Sequence, residues 1–591
     1  MPNEIRMMTV PSLNPRSIPR RALTHRAPTP RPKYESDPTS WDQATSPEPL
    51  PVVVVGAGMT GLTVANDLAQ RGIPCVLLDD NDTTSSGSRS ISQAKRSLEI
   101  WSRLGIGEHL LQEGVPWSSG HIYHDSSRLL RFDLQPDGGE KFPAFINLPQ
   151  WRVESLLVNR ARRSPMIDLR WKSSVVGLAQ EPDSVTLEVQ TPAGLRTLRA
   201  RWVVAADGVR SSIRGLLGAS FEGSPAGGRF LIADVRLGID LPPERHFWFT
   251  PPFHDGNCVL MHRQPDGIWR LDWEIGFDAD PEAERSRDAV LARIHRMFGE
   301  DVAIEIEWVS VYGFEVRRTD SFRHGRVLLA GDAAHQLSPF GGGRGGNSGV
   351  QDADNLGWKL AAVIEGAAAP ALLDTYCAER QAAADENMQI SRRSSRFIVP
   401  DSPAALALRD SVLHFCGRVD HVDRFVNTGR LSTANRLPRD AFEAATHPTG
   451  RTPQALGTVI LDAPIAGDRG ERWLSETIGD SFALLVACDR AATAQEALHV
   501  LDVLRVRRSC RWSLLGVGAA ASELGVAGGL RAIQDPTGLL RERYSLQDGT
   551  WYLVRPDAYV VGWGRQLNAD TICSALDQTT RSTFLSPELV P

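Results

Sequence analysis

A mixed α/β fold is predicted: a parallel-sheet unit interrupted by an antiparallel sheet and followed by a second α/β unit. Residues 52–78 run strand, helix, strand, the rhythm of a βαβ unit. Between about 221 and 320 the texture changes to short alternating segments bounded by Pro, Gly and Asp, as antiparallel strands should be. From 456 to 591 strands and helices alternate again, beyond a loop-rich joint near 430–455. A length of 591 residues by itself asks for two or three domains.

The elements follow in order. Residues 1–50 are rich in Pro, Ser and Arg, lack either periodicity, and read as a disordered basic extension. A transit peptide is the alternative for an Arg-rich start, but the prolines would break its amphipathic helix. Order begins at Pro51, with the buried strand Val52-Val53-Val54-Val55, a helix over 59–71 and a second strand over 74–78 that ends in Asp79-Asp80. A helix at about 91–104, further strands and a helix opening near Pro149-Gln150 come next. The alternating segments of the insert are 229–237, 246–250, 258–262 and 269–275. A strand, a Gly-rich loop and a helix fill 325–366, and a long helix runs over 372–397. The first unit thus spans 51–430, and the second has strands at 482–487, 512–516 and 551–554.

Composition narrows the class. Hydrophobic content of 42% with 23% charged residues is ordinary for a globular protein. No stretch approaches the roughly 20 apolar residues of a membrane span. Seven scattered cysteines without a CxxC pair fit a reducing cytoplasm and argue against a disulfide framework or a thiolate metal site. Net charge is −6, yet residues 1–33 hold seven basic groups against the one acid Glu4, so the body is more acidic still. Nucleic acid is thereby excluded as the main partner.

Three motifs carry the chemistry. Gly56-Ala57-Gly58-Met59-Thr60-Gly61 sits between the first strand and its helix, where glycines allow a tight turn and a close backbone approach to pyrophosphate at the helix N-terminus. Asp79, ending the next strand, is placed to accept ribose hydroxyl hydrogen bonds. NAD and FAD both use this arrangement. Asp207-Gly208 ends an apolar strand and is followed by Arg210 and Arg214; alone it would be a turn. Gly331-Asp332-Ala333-Ala334-His335 ends another strand. Pro339-Phe340-Gly341-Gly342-Gly343-Arg344-Gly345-Gly346-Asn347 then leads into a helix through Asp352, Asn355 and Lys359. The bare backbone of that loop can aim N–H groups at a flat, electron-accepting ring. In this order the three motifs point to FAD held in an extended pose, for redox chemistry on a second bound molecule.

Together with Gly87-Ser88-Arg89-Ser90, Leu148-Pro149-Gln150, Phe247-Trp248-Phe249, His262-Arg263-Gln264-Pro265 and Gln351-Asp352-Ala353-Asp354-Asn355-Leu356, these motifs resemble the single-component flavoprotein aromatic hydroxylases. The class is typified by p-hydroxybenzoate hydroxylase. The nearer likeness is to its long branch of hydroxyphenylpropionate, pentachlorophenol, phenol and polyketide aromatic hydroxylases, over about residues 50–590. The resemblance implies a Rossmann-like FAD-binding domain, an inserted substrate sheet and a C-terminal thioredoxin-like domain, structural for want of CxxC. It implies that Gly56, Gly58 and Gly61 hold the pyrophosphate, Asp79 the adenosine ribose, Arg89 the pyrophosphate side and Gln150 the ribityl chain. Asp207 and Gly208 would serve FAD and nicotinamide nucleotide. Gly331 and Asp332 would hold the ribityl chain, and Pro339 to Asn347, with Gly345 and Gly346, would line the isoalloxazine. Two departures stand out: Pro339 to Asn347 is eight steps where the family pattern has seven, an additional glycine within 341–343, and Asp80 stands where arginine is common.

The implied reaction reduces FAD with NADH or NADPH and passes one atom of O2, through a C4a-hydroperoxyflavin, into a phenolic ring. No side chain attacks covalently. His335, as a general base, and Pro339 are the catalytic candidates; a structural histidine is the other reading of His335. The antiparallel sheet is expected to floor the substrate chamber, with Trp248, Phe249, His262, Trp269 and Trp273 as candidate lining, each equally suited to a core. A homodimer is compatible with the resemblance. Two rivals are a flavin-dependent halogenase and a non-catalytic FAD-binding protein. The halogenase needs a WxWxIP-type segment that Trp269-Arg270-Leu271-Asp272-Trp273 does not match. The non-catalytic protein would use its C-terminal domain for interaction.

Overall fold

The computed structural model describes residues 15–23, 31–35, 48–85, 87, 90–135, 137–254, 257–338, 343–416, 418–419, 422, 433–442, 455–524 and 529–585. Four consecutive valines leave neither face of a strand polar, and β1 (Leu50–Val55) is accordingly the buried centre of the first sheet. It leads into α1 (Met59–Gln70) and returns as β2 (Cys75–Leu78), parallel to β1. On its other side β1 pairs in parallel with β3 (Gly194–Ala205), which in turn pairs with Val327–Leu329. Ile167–Arg170 extends the sheet beyond β2.

The second sheet comprises β4 (Glu222–Leu237), β5 (Arg245–Phe249), β6 (Val259–Arg263), β7 (Ile268–Glu274) and β8 (Ile304–Arg318), in the spatial order β8-β4-β7-β6-β5. The insert does not build it alone. Ser119–His124, from earlier in the chain, adds parallel to β5, and Ser127–Asp133 pairs outside that. An edge at β5 would otherwise expose a row of backbone donors and acceptors, which the hairpin covers.

The register sorts the side chains into two faces. Leu231, Ala233, Val235, Trp248, Val259, Met261, Trp269, Leu271 and Trp273 share the outer face. They pack on Val290, Ile294, Met297 and Phe298 of helix Arg287–Phe298. Phe230, Ile232, Phe247, Phe249 and Leu260 share the inner face and pack on Ala94, Trp117 and Phe145 of the first unit.

After this sheet come α2 (Arg344–Ile364), which packs on α1, and α3 (Leu372–Ile398), which packs on α2. A third sheet belongs to the C-terminal unit. Leu530–Gln534, Trp512–Val517 and Phe482–Ala487 are parallel, and Trp551–Val554 and Val560–Gly564 extend them antiparallel. No helix among the described residues is long and apolar enough to cross a membrane.

The disorder expected of residues 1–50 does not hold where that stretch is described. Ile18 is buried in the outer core of the second sheet, Arg21 donates its N–H to the Gly238 carbonyl, and Arg20 bonds the Phe298 carbonyl and Asp301. Tyr34 stacks on Trp171 with ring centroids 4.7 Å apart. Single apolar side chains docking into cores formed elsewhere leave no periodicity to read.

Candidate functional site

β1 ends at Val55 and the chain turns into α1 through Gly56, at φ +101°, where a Cβ would lie 2.4 Å from the Ala206 carbonyl oxygen. Gly61 is tighter still: its Cβ would stand 1.8 Å from the Gly56 oxygen. Strand and helix themselves demand these two glycines. Gly58 differs, since a Cβ there meets only Glu154 Oε1, at 3.8 Å, so the space before α1 is open. Gly58 caps α1 without a side-chain bond, leaving the first-turn N–H groups and the positive helix end facing that space. Asp79 borders it, Oδ2 accepting from the Ala57 N–H at 2.6 Å and Oδ1 from the Asn81 N–H at 2.9 Å, with its pKa raised by burial.

Glu154, absent from the sequence-derived set, stands opposite. It is fully buried and accepts from the Ser85 N–H at 2.7 Å, from the Ser85 hydroxyl and from Gln150 Nε2 at 2.8 Å; burial lifts its carboxyl. Its one sequence signal is the i,i+4 spacing from Gln150 on helix Gln150–Ala161.

The other two motifs arrive at the same region. A Cβ on Gly331 would meet Thr60 Oγ1 at 2.6 Å, one on Gly349 would meet it at 2.4 Å, and one on Gly346 would meet Met59 Cε at 2.7 Å. α2 also starts without a side-chain cap, at Gly343. Two bare helix N-termini therefore converge, with glycine at each close crossing. Arg214 ties Asp207-Gly208 to the third motif by donating to the carbonyls of Ala333 at 3.0 Å and Val209 at 2.6 Å. Asp207 braces the short helix Ser212–Leu216, accepting from its N-cap Ser211 Oγ at 2.6 Å and from the Ile213 N–H at 3.1 Å. Asp332 is exposed on its turn.

Of the two readings of His335, the general base does not fit its place and the structural histidine does, bonded to a carboxylate rather than to backbone. The ring has no exposed surface, its Nε2 lies 2.7 Å from Asp352 Oδ2, and Phe322 stacks on it. Asp352 also accepts from the Gly331 N–H at 2.9 Å and from Arg380 Nε at 2.6 Å. Burial pushes the Asp352 carboxyl up, but His335 and Arg380 outweigh it and hold the group well below the usual carboxylate range. Asn347 is likewise fully engaged. Its Oδ1 accepts from the Ala94 N–H at 2.9 Å and Ser97 Oγ at 2.8 Å, while Nδ2 donates to the carbonyls of Ser92 at 2.9 Å and Gly343 at 2.7 Å. It clamps the glycine loop, whose Gly345 follows on the first turn of α2. Arg89, Pro339, Gly341 and Gly342 lie outside the described residues.

Of the five candidate substrate residues, Phe249 and His262 face inward. Trp248, Trp269 and Trp273 are outer-face core. Adjacent strand residues point to opposite faces, so Trp248 and Phe249 had to part, and only the register says which goes inward. The inner face carries a row with little apolar signature: Trp308, Asp234, Arg270 and His262 in register, then Arg245 on β5. A Cβ on Gly87 would meet the Trp308 ring at 2.9 Å, and Trp117 meets His262 edge-on at 6.3 Å. The row thus abuts the segment beside Arg89.

The C-terminal unit reaches the same assembly through Arg555. Its guanidinium grips both Glu379 oxygens at 2.9 Å and also bonds Asp557. Lys359 Nζ and Asn355 Nδ2, on α2, reach Glu379 at 2.9 and 2.7 Å.

Uncapped helix ends, open space before Gly58, and acids at Asp79 and Asp332 suit an extended dinucleotide flavin. Comparison with known proteins agrees. A family described as FAD binding domain matches residues 49–391. A 3-(3-hydroxy-phenyl)propionate/3-hydroxycinnamic acid hydroxylase of Mycobacterium sp. (strain JLS) is 30% identical, over 92% of this chain and 93% of its own. A 6-methylpretetramide 4-monooxygenase of Streptomyces rimosus is 30% identical, over 89% of this chain and 92% of its own. The fold is shared with aklavinone-11 hydroxylase, solved with FAD and aklavinone, at a TM-score of 0.70 and 23% identity over 91% of this chain and 100% of that one.

Proposed function

The chain belongs to the FAD binding domain family, among flavoprotein aromatic hydroxylases, and from that premise we propose that it takes electrons from NADH or NADPH and places one atom of O2 on a phenolic ring. The observation that carries this reading is the meeting of two uncapped helix N-termini with an aromatic-rich sheet face. When bound, FAD supplies the redox and oxygen chemistry. The chain's own part is positional. First-turn N–H groups of α1 hold the pyrophosphate before Gly58, Asp79 takes the adenosine ribose, Gln150 and Asp332 take the ribityl chain, and the start of α2 faces the ring system. Phe230, Ile232, Phe247, Phe249 and Leu260 hold the aromatic and exclude water.

A thioredoxin-like C-terminal unit is supported by its parallel strands extended by an antiparallel pair. Burial pushes the Cys488 thiol up to about 12, which suits a structural role. The free, mostly buried cysteines support a reducing compartment such as the cytoplasm.

Purified flavoprotein should oxidise NADH or NADPH slowly until a phenol is added. It should then consume O2 and release a product heavier by one oxygen that derives from O2. Flavin that stays oxidised with both nicotinamides across a broad phenol panel would refute the assignment.

A further inference from the structure

The family match begins at residue 49, yet two stretches ahead of it are built into the fold. Residues 15–23 dock on the second sheet. There the Arg21 N–H donates to the Gly238 carbonyl, the Asp240 N–H donates to the Pro19 carbonyl, and Ile18 is buried in the core shared with helix Arg287–Phe298. Residues 31–35 reach the first sheet instead. The Tyr34 N–H donates to the Asp82 carbonyl at 2.7 Å, and Lys33 pairs antiparallel with Thr83. The buried Tyr34 ring stacks on Trp171 at 4.7 Å, and the Arg162 guanidinium stands 5.9 Å from it.

These neighbours belong to the walls of the flavin site. Residues 79–85 run from Asp79, bordering the open space before Gly58, to Ser85, whose N–H and hydroxyl hold Glu154 on the opposite wall. One side of that segment is fastened to the chain at 170–173. The Asp79 N–H donates to the Arg170 carbonyl at 3.0 Å, the Lys172 N–H to Asn81 at 2.9 Å, and the Ser173 N–H to Asp79 at 2.7 Å. Tyr34 fastens the other side, with its backbone on Asp82 and its ring on Trp171. Arg162 ends helix Gln150–Ala161, which carries Gln150 and Glu154. Tyr34 thus joins three pieces that shape one end of the pocket, the end where Asp79 meets the adenosine ribose. Fixing backbone costs conformational entropy, so a wall held in shape beforehand leaves less for the ligand to supply.

We propose that residues 31–35 are a latch on the adenosine half of the FAD site, with Tyr34 the positioning residue that holds 79–85 in its binding shape. This rests on the flavin pose given above. Among the described residues, the hydrogen bond and ring contacts of Tyr34 go to Asp82, Trp171 and Arg162, away from α2 and the glycine loop. The latch therefore acts on the adenosine half and leaves the ring end alone. Coupling is reciprocal, so a nucleotide bound at Asp79 must also tighten the latch.

The full chain, freed of flavin, is titrated with FAD by fluorescence quenching and with ADP by competition against FAD. Tyr34→Ala should weaken both by the same factor, about three- to tenfold, the worth of one aromatic stack. The visible spectrum of the bound flavin should not move. Tyr34→Phe keeps the stack and should keep both affinities. Ile18→Ala, at the other anchor of the same extension, should lower the thermal midpoint and leave both affinities unchanged. Should Tyr34→Ala fail to fold, hydrogen exchange on the native chain decides: ADP alone should slow exchange across 31–35. Unchanged affinities in Tyr34→Ala, a loss for FAD without a matching loss for ADP, a shifted flavin spectrum, or an equal effect of Ile18→Ala overturns the proposal. So does exchange at 31–35 that ADP fails to slow, or a native chain on which ADP does not compete with FAD. Asp79→Asn separates this proposal from the pose beneath it. If that variant weakens ADP and Tyr34→Ala does not, the pose stands and the latch falls. If neither weakens ADP, both fall.

Discussion

Replacing Asp352 with asparagine asks whether the turn at Gly331 is held by charge. Asp352 has no exposed surface and accepts from the Gly331 N–H, from His335 Nε2 and from Arg380 Nε. Asparagine keeps the shape but offers one acceptor oxygen and no charge. Arg380, itself only 4% exposed, becomes an uncompensated buried cation. Breaking a buried pair in this way costs about 3–5 kcal/mol, and that figure already contains the lost charge-assisted bond. In a domain of this size the thermal midpoint should fall by something on the order of 10 °C. Flavin release should move with it, because the Gly331 N–H is then held by a neutral oxygen beside an unpaired Arg380. The pH dependence has a definite sign. The folded-state pKa of Asp352 lies below its unfolded value near about 3.9, so the contribution is present above that value and is lost as pH falls toward the folded one. The gap between native and variant protein should therefore narrow only below about pH 4. Scanning fluorimetry of tryptophan and flavin emission from pH 7.5 downward measures both. A variant within about 1 kcal/mol of the native protein at neutral pH would refute the reasoning, since surface substitutions alone reach roughly half that. Removing both charges while keeping an acceptor for Gly331 and His335, as Asp352→Asn with Arg380→Met, should recover much of the loss.

The glycines of the first motif should separate by role. Gly61→Ala, with its Cβ 1.8 Å from the Gly56 oxygen, should fail to retain flavin and lose stability, whereas Gly58→Ala should keep its midpoint and weaken only flavin binding; absorbance ratios and apoprotein melting distinguish them. Trp273→Phe should lower the midpoint and leave the substrate KM unchanged, whereas Phe249→Ala should raise KM; the opposite pattern would reverse the faces of the sheet. Arg555→Met leaves Glu379 to Lys359 and Asn355 and Asp557 to Asn355, should cost about 3 kcal/mol, and should loosen flavin as well, as read by urea titration.

What sequence makes legible here is what the backbone enforces locally. Val52 to Val55 can be nothing but a buried strand, and Gly56 and Gly61 are required within one strand–turn–helix, so their pattern survives in the chain itself. Register is different. Trp248 and Phe249 are neighbours with the same chemistry, and which of them faces inward depends on pairing with residues as far away in the chain as Tyr123 and His124. The hairpin over 119–133 joins the substrate sheet for the same non-local reason. Buried charge is hardest to read. Glu154 and Asp352 look like ordinary surface residues until the fold removes their water. The motif positions Asp207 and Asn347 were legible as positions, but their observed bonds go to the protein: one braces a helix start and the other clamps the glycine loop.

Glu379 and Arg380 show why the terminal unit is more than a cover. Adjacent helical residues point about 100° apart, so α3 serves two partners at once. Arg380 turns to Asp352 on α2, and Glu379 turns to Arg555 in the C-terminal unit while also receiving Lys359 and Asn355 of α2. Arg96, ahead of the substrate sheet in the chain, bridges Asp354 of α2 to the Asp557 carbonyl. Apolar packing alone would have attached the unit more cheaply, because each of these charges is desolvated. Ion pairs of fixed geometry instead set the rotation and register of α2, the helix that begins at the glycine loop and carries Asp352. Cutting the chain before residue 455 would leave Glu379 and Asn355 without Arg555 and Asp557, and the first consequence should appear at the flavin end of α2 rather than at the cut.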